Sequence, residues 1–171
     1  MRTRVGYTGG TTLDPTYTEL GDHTESIELE YDPQVVDYGT LLELYWEGAS
    51  GASASCDQYA PIIFWHNDEQ RDLAQASWDE HDEPEVAVRE AEHFYPAEDY
   101  HQKYRLRNVE VVFRDFERMY DDHDDIVRST AAARCNGILA GYGSWDELGA
   151  ELDSYGLTEA ARQELEGRLG R

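Results

Sequence analysis

The sequence predicts an α+β fold, in which helices pack on a mixed or antiparallel sheet and a helical C-terminal extension follows. Up to residue 105, segments with strand-like alternation and segments with helix-like periodicity follow one another. After that residue, apolar side chains recur only at helical spacing. The chain is 40% apolar with 12 Tyr and 4 Trp, which favours a packed core over disorder. We therefore expect one domain over residues 1–105 and a helical extension over residues 106–171.

The elements of residues 1–105 follow from local patterns. Alternating or β-branched segments predict four strands, at Arg2–Tyr7, Ser26–Tyr31, Pro61–Trp65 and Val86–Arg89. Apolar residues at helical spacing, or capping signals, predict three helices, at Tyr38–Trp46, Asn67–Ala76 and Ala97–Arg105. The second of these begins with a capping-box pair, Asn67 and Gln70. Small residues from Gly48 to Ser55 predict a loop before the third strand.

The extension is predicted to be entirely helical. One helix face carries Val109, Val112, Phe113, Phe116 and Tyr120. Further along, Ser144 with Glu147 is a capping box, Gly156 is expected to end that helix, and Thr158 is expected to begin the last one.

The charge balance excludes several classes of partner. The chain has 37 acidic and 14 basic residues, so it repels nucleic acids and anionic membranes. Self-repulsion at this charge is reduced by salt, which predicts a halophilic protein in a cytosol of high ionic strength. Two cysteines are too few for a disulfide framework and fit a reducing cytoplasm. Neither a secretory signal nor a membrane-length apolar run is present in the sequence.

Four stretches in a fixed order are difficult to explain by core packing alone. They are Val5–Gly10, then Pro15–Tyr17 with His23–Glu25, then Gln58 with Tyr59, and finally Phe94–Tyr104. This series resembles the S-epimer-specific peptide methionine sulfoxide reductases from about Met1 to Arg105. The resemblance implies a ferredoxin-like sandwich. It also implies an oxidoreductase for protein repair under oxidative stress, which acts on methionine S-sulfoxide, free or within proteins.

The resemblance also implies a mechanism. In that family a cysteine thiolate attacks the sulfoxide sulfur while a carboxylic acid protonates the oxygen, which leaves methionine and a cysteine sulfenic acid. A second thiol and a thioredoxin-type or other dithiol reductant then restore the cysteine. Because the oxygen leaves poorly until it is protonated, the carboxyl group has to be kept neutral by burial.

Matching by motif assigns the site residues. Glu25 corresponds to the general acid, Tyr17 and Tyr59 to the oxygen-binding tyrosines, and Tyr104 to a tyrosine that lines the pocket. No metal site is predicted, since the histidines lack ligand spacing. No Walker-type phosphate loop is present either, so we expect no cofactor.

The nucleophile is the main departure from the family. Its Gly-Cys-Phe-Trp signature belongs upstream of Arg4, so we expect that the start of this chain was assigned too late. A non-catalytic relative that keeps only the sulfoxide-binding scaffold is the alternative. Ala54 at the position of a family aspartate and the missing His-Asp-Pro favour that alternative. In a third hypothesis Cys56, three residues before Tyr59, is the thiol, whereas Cys135 is predicted to be a packing residue.

Overall fold

The computed structural model describes residues 1–49 and 57–170, so Ala54 and Cys56 lie outside the described residues. Two compact units make up the chain. The sheet unit is Val5–Ala97, and the helical unit is Met1–Arg4 together with Glu98–Arg171. Strands and helices alternate in the first unit, while the second is built from helices, and the predicted α+β class is thereby confirmed.

The sheet unit contains five strands and two α-helices. The strands are β1 (Arg2–Thr8, which begins in the helical unit), β2 (Thr24–Glu30), β3 (Ile62–Trp65), β4 (Ala87–Glu90) and β5 (Tyr95–Pro96). The helices are α1 (Tyr38–Ala49) and α2 (Asp68–His81), with a 3₁₀ turn at Asp57–Tyr59. All four predicted strands and the first two predicted helices are confirmed, within a few residues at their ends.

The strands form two separate sheets. In the first, β1 lies between β2 and β5 and runs antiparallel to β5, so that Tyr7 faces Tyr95. In the second, β3 and β4 are parallel and α2 is the crossover between them. The predicted antiparallel sheet with packed helices is therefore confirmed, and the parallel pair forms a separate sheet. Among the described strands, β2 is one edge strand of the three-stranded sheet, and β3 is one edge strand of the two-stranded sheet.

The core of the sheet unit lies where α1 and α2 meet the β3–β4 sheet. Its buried side chains are Leu42, Trp46, Ile63, Ala74 and Val86. The Trp46 indole N–H donates to the Ser77 hydroxyl at 2.6 Å, so this large side chain is buried with its polar atom bonded.

Helix α2 begins as its capping pair predicts and ends later than predicted. The Asn67 side chain accepts from the backbone N–H of Gln70 at 2.9 Å. The helix continues to His81 because Trp78 joins the packing, its indole N–H donating to the Val86 carbonyl at 2.8 Å. Asp82 ends it in a left-handed conformation with φ 50°. Periodicity alone did not indicate that contact.

The helical unit contains the remaining α-helices and a 3₁₀ turn at Glu151–Ser154. The helices are α3 (Tyr104–Arg107), α4 (Glu110–Met119), α5 (His123–Arg128), α6 (Thr130–Leu139), α7 (Trp145–Leu148) and α8 (Glu159–Arg168). The predicted apolar face of α4 is buried at Val112, Phe113 and Phe116. The capping box at Ser144 and the cap at Thr158 are confirmed. No described helix is both long and apolar enough to span a bilayer.

Two helix predictions were wrong. A helix was expected over Ala97–Arg105, but the Ala97 N–H donates to the Val5 carbonyl and extends strand pairing, and Lys103 has φ 49°, so the helix begins only at Tyr104. The helix after Ser144 was expected to reach Gly156, but α7 ends at Leu148. Gly149 packs against Trp145, where a Cβ would lie 2.7 Å from the ring.

Lys103 is a buried cation in the helical unit. Its side chain is 5% exposed, and its Nζ donates to the carbonyl and, at 2.9 Å, to the hydroxyl of Thr3. Burial lowers the pKa of Lys103 to about 8, from an ordinary value of 10.5.

The lowered pKa of Lys103 predicts a pH dependence of stability. Below pH 8 Lys103 is protonated in both states, so the folded state bears the full free-energy cost of burying the charge. As the pH rises from 8 towards 10.5, the folded state loses the proton while the unfolded chain keeps it, and this cost disappears. We expect the free energy of unfolding to increase over this range by up to about 3 kcal/mol relative to Lys103→Met. Urea titrations of both proteins at several pH values measure the difference. Parallel curves for the two proteins would contradict the prediction.

Candidate functional site

A cleft of about 590 Å³ lies in the sheet unit, between α1 and the edge strands β2 and β3. Its walls are mainly apolar. They include Ile27 and Leu29 from β2, Leu41 and Tyr45 from α1, and Ile63 from β3. Glu25 and Tyr59, two of the predicted site residues, also line this cleft. Its size is typical of a small-ligand site.

Thr24 fixes the 3₁₀ turn against the start of β2. The side chain is 3% exposed, and its hydroxyl lies 3.1 Å from each of the carbonyl oxygens of Gln58 and Ala60. The hydroxyl therefore anchors the turn on both sides of Tyr59. This contact places the Gln-Tyr motif beside the His-Thr-Glu motif, although 34 residues separate Thr24 from Gln58.

Glu25 and Gln58 are joined directly. The Gln58 side-chain amide donates to Glu25 Oε1 at 2.6 Å, which holds the carboxyl group at the mouth of the cleft. Glu25 is exposed, and Tyr59 is 54% exposed. A general acid has to be buried to stay neutral, and the described residues do not bury Glu25.

His23 stabilises the loop that precedes the site. It is 1% exposed, and its Nδ1 accepts from the Gly10 N–H at 3.2 Å. The neutral ring therefore carries its proton on Nε2, which donates to the Thr12 carbonyl at 2.8 Å. Both ring nitrogens are therefore hydrogen-bonded. The His23 side chain thus holds the loop at Gly10 and Thr12 against the segment that immediately precedes Glu25.

Asp22 binds the same loop from outside. Its carboxylate accepts hydrogen bonds from the backbone N–H and the hydroxyl of both Thr11 and Thr12, at 2.8 to 3.0 Å. These bonds lower the pKa of Asp22 well below its ordinary value. Gly10 permits the close approach, since a Cβ there would lie 2.7 Å from the backbone nitrogen of His23.

The other two predicted tyrosines are not among the described residues that line the cleft. Tyr17 is 42% exposed, at the tip of a tight turn closed by hydrogen bonds between Thr16 and Glu19, and it is not among the described residues that line the cleft. Tyr104 is in the helical unit, at the first position of α3, and is 57% exposed. The structure brings together Glu25 and Tyr59, and sequence matching did not identify Thr24 and Gln58 as the residues that connect them.

The one cysteine that the structure describes is buried. Cys135 is fully buried in the core of the helical unit, as its predicted packing role requires, and burial raises the pKa of its thiol to about 12. The speculative thiol, Cys56, lies outside the described residues. Within residues 1–49 and 57–170, no cluster of three or more His, Cys, Asp or Glu side chains has a geometry that could hold a metal ion.

Comparison with known proteins gives one consistent result. The family model described as peptide methionine sulfoxide reductase matches residues 1–131. A Drosophila melanogaster protein of that name is 40% identical over 172 residues, which cover 95% of this chain and 68% of the relative. A Listeria innocua protein named peptide methionine sulfoxide reductase MsrA is 41% identical over 116 residues, 58% of this chain and 66% of the relative.

A Streptococcus agalactiae protein, also named peptide methionine sulfoxide reductase MsrA, is 40% identical over 120 residues, which cover 60% of this chain and 71% of the relative. The chain therefore spans about two thirds of the length of the relatives that it matches. The similarity also continues past residue 105 into the helical unit, because the family match reaches residue 131.

Proposed function

Because this chain belongs to the peptide methionine sulfoxide reductase family, we propose that the protein reduces methionine S-sulfoxide to methionine. The observation that supports this most directly is the placement of Glu25 and Tyr59 in one apolar cleft, joined through Gln58 and Thr24. Family membership favours the reductase over the non-catalytic alternative.

The two cleft residues have distinct proposed roles. Glu25 is the general acid that protonates the sulfoxide oxygen, and the Tyr59 hydroxyl donates a hydrogen bond to the same oxygen. The apolar walls suit the methyl group and the thioether of the product. Tyr17 as a second oxygen-binding group and Tyr104 as a pocket residue remain predictions from the family motifs.

The proposed reaction is a two-electron exchange. A thiolate forms a bond to the sulfoxide sulfur, and the S–O bond breaks as Glu25 protonates the oxygen, which leaves as hydroxide. The hydroxide then adds to the cysteine sulfur, and the S–S bond breaks with its electron pair on the methionine sulfur, which gives methionine and a cysteine sulfenic acid. The methionine sulfur is reduced by two electrons and the cysteine sulfur is oxidised by two. A dithiol then reduces the sulfenic acid to the thiol and releases water, while it becomes a disulfide itself. We propose a thioredoxin-type protein as that dithiol.

The test of this function is an epimer-resolved reduction assay. The purified protein is incubated with dithiothreitol and an equal mixture of the S and R epimers of N-acetylmethionine sulfoxide, and chromatography follows both epimers. We expect the S epimer to be consumed and the R epimer to remain. Equal consumption of the two, or none of either, would contradict the proposal for this chain.

Two serine variants identify the thiol in the same assay. If Cys56 is the nucleophile, Cys56→Ser abolishes reduction. Cys135→Ser serves as the comparison, because that side chain is buried and its pKa is raised to about 12. Full activity in Cys56→Ser would exclude Cys56 as the nucleophile.

A saline cytoplasm is the proposed environment. The support is the net charge of −23, which makes folding depend on counterions that screen repulsion among carboxylates. We expect the far-ultraviolet circular dichroism of the native protein to be lost on dialysis from molar salt into dilute buffer. A spectrum that does not change would contradict the halophilic interpretation.

A further inference from the structure

The His-Thr-Glu motif places three consecutive side chains in different surroundings. Glu25 is exposed and lines the cleft, whereas His23 and Thr24 are 1% and 3% exposed. His23 holds the preceding loop through its two ring nitrogens. Thr24 is the first residue of β2, and its hydroxyl contacts the turn that carries Tyr59. A polar side chain beside the general acid is thus buried although the proposed reaction does not use it.

The single hydroxyl proton of Thr24 faces two acceptors. The carbonyl oxygens of Gln58 and Ala60 each lie 3.1 Å from Thr24 Oγ1, and these two residues flank Tyr59 in the sequence. Because a hydroxyl group has only one proton, the two carbonyls share one donor. A rotation of the turn takes at least one of these carbonyls away from the donor, so the shared contact favours one orientation of Tyr59.

A second hydrogen bond joins the same two segments in a more exposed environment. The Gln58 side-chain amide donates to Glu25 Oε1 at 2.6 Å, and Glu25 is exposed. Water replaces an exposed partner at little cost, whereas a polar group that loses its partner in a buried place stays unsatisfied. The contact made by the buried Thr24 hydroxyl therefore contributes more to the placement of the turn than the contact made by Gln58.

We propose that Thr24 is a positioning residue, which holds the turn so that the Tyr59 hydroxyl and the Glu25 carboxyl group can reach one sulfoxide oxygen. The inference rests on the proposed function, in which both groups act on that oxygen. Hydrogen-bond donors and acids act over about 2.6 to 3.2 Å, and a misplacement of about 1 Å lowers a rate by about 100-fold. Without this anchor the two groups are present but misplaced.

Thr24→Val removes the hydroxyl group and keeps the shape of the side chain. Valine is also β-branched and suits a strand, but a methyl group replaces the donor to the two carbonyls. With N-acetylmethionine S-sulfoxide and excess dithiothreitol, we expect kcat to fall by about 30-fold or more. KM should change by less than about threefold, because the misplaced groups bind the oxygen most strongly in the transition state. Thr24→Ser keeps the hydroxyl and should restore at least about half of the original kcat.

Thr24→Ala and Ser77→Ala form a matched pair. Thr24→Ala removes the donor without placing a methyl group against the two carbonyls, and we expect it to lose as much kcat as Thr24→Val. Ser77→Ala also removes a hydrogen-bonded hydroxyl, the acceptor of the Trp46 indole N–H at 2.6 Å in the core of the same unit. Since Ser77 does not contact the turn at Asp57–Tyr59, its variant should keep kcat within about twofold. Circular dichroism checks that each variant is folded.

A double variant separates positioning from a general loss of structure. In Tyr59→Phe the hydroxyl group that Thr24 positions is absent, so the addition of Thr24→Val has less to displace. We expect this addition to lower kcat by less than about fivefold in Tyr59→Phe, against about 30-fold or more in the original protein. Equal factors in the two backgrounds would show that Thr24 does not act through Tyr59.

A spectroscopic measurement gives a result that does not depend on reduction. The hydrogen bond to Glu25 shifts the side-chain amide signal of Gln58 away from those of free glutamine amides. Nitrogen–proton correlation spectra record this signal, which is identified by its loss in Gln58→Leu. We expect the shift in the original protein, in Thr24→Ser and in Ser77→Ala, and its disappearance in Thr24→Val and Thr24→Ala.

Two outcomes would overturn the positioning role of Thr24. One is a Gln58 signal that keeps its shift in folded Thr24→Val and Thr24→Ala, and the other is an unchanged kcat in these variants. If the original protein does not reduce the sulfoxide, the proposed function fails, and the spectra alone then decide whether Thr24 holds the turn beside Glu25.

Discussion

Replacing Glu25 by glutamine is expected to lower the rate of methionine S-sulfoxide reduction by about 100-fold or more. The amide has nearly the shape of the carboxyl group and can still interact with Gln58, but it has no acidic proton to give to the sulfoxide oxygen. The rate is measured with dithiothreitol by chromatography of the substrate and the product.

Glu30→Gln is the matched control for Glu25→Gln. It removes one negative charge from the same strand, at an exposed position that is not among the described residues lining the cleft. Its rate should stay within about twofold of the original. Similar rates for the two variants would show that general acid catalysis does not involve Glu25.

Asp115→Ala is expected to destabilise the helical unit by about 2 to 3 kcal/mol, the range for hydrogen bonds to a buried charge. Asp115 lies on α4 with 2% exposure, and its Oδ2 accepts from the backbone N–H and the hydroxyl of Thr158 at 2.7 and 2.8 Å. Arg118 pairs with its other oxygen. The carboxylate thus fixes the first turn of α8 to α4 and favours the positive end of that helix.

Urea and thermal unfolding measure this effect, and the melting temperature is expected to fall by about 5 to 10 °C. Glu117→Ala is the control, because it removes the same charge from an exposed position of the same helix. We expect the control to change stability by less than about 0.5 kcal/mol. Equal losses in the two variants would show that the contact with Thr158 contributes nothing specific.

Most element positions were predictable because they depend on neighbours in the sequence. Helical spacing in α1 indicates the side of the helix that is buried, at Leu42 and Trp46. Alternation in β2 indicates a strand but not its burial, since Ile27 is 60% exposed. Asn67 begins α2 and Ser144 begins α7 through hydrogen bonds that span only three residues. Such contacts form in the same way wherever the segment lies in the fold.

The failed predictions share a cause at longer range. The Ala97–Arg105 segment looked helical, but Ala97 is bonded to Val5 across 92 residues of sequence. Trp78 lengthens α2 through its bond to the Val86 carbonyl. Strand pairing and core packing outweigh local preference, because they satisfy backbone groups and bury apolar area that an isolated segment cannot.

For the site, the sequence by itself determined the chemical groups. Reduction of a sulfoxide requires an acid and a hydroxyl donor, and the motifs supply them at Glu25 and Tyr59. Only the tertiary structure decided how they meet. Thr24 bonds to the turn at Gln58 and Ala60, and that contact between distant segments has no local signature in the sequence. The exposure of Glu25 and the cleft between two sheets are likewise properties of packing, since burial depends on what covers a residue and not on its neighbours along the chain.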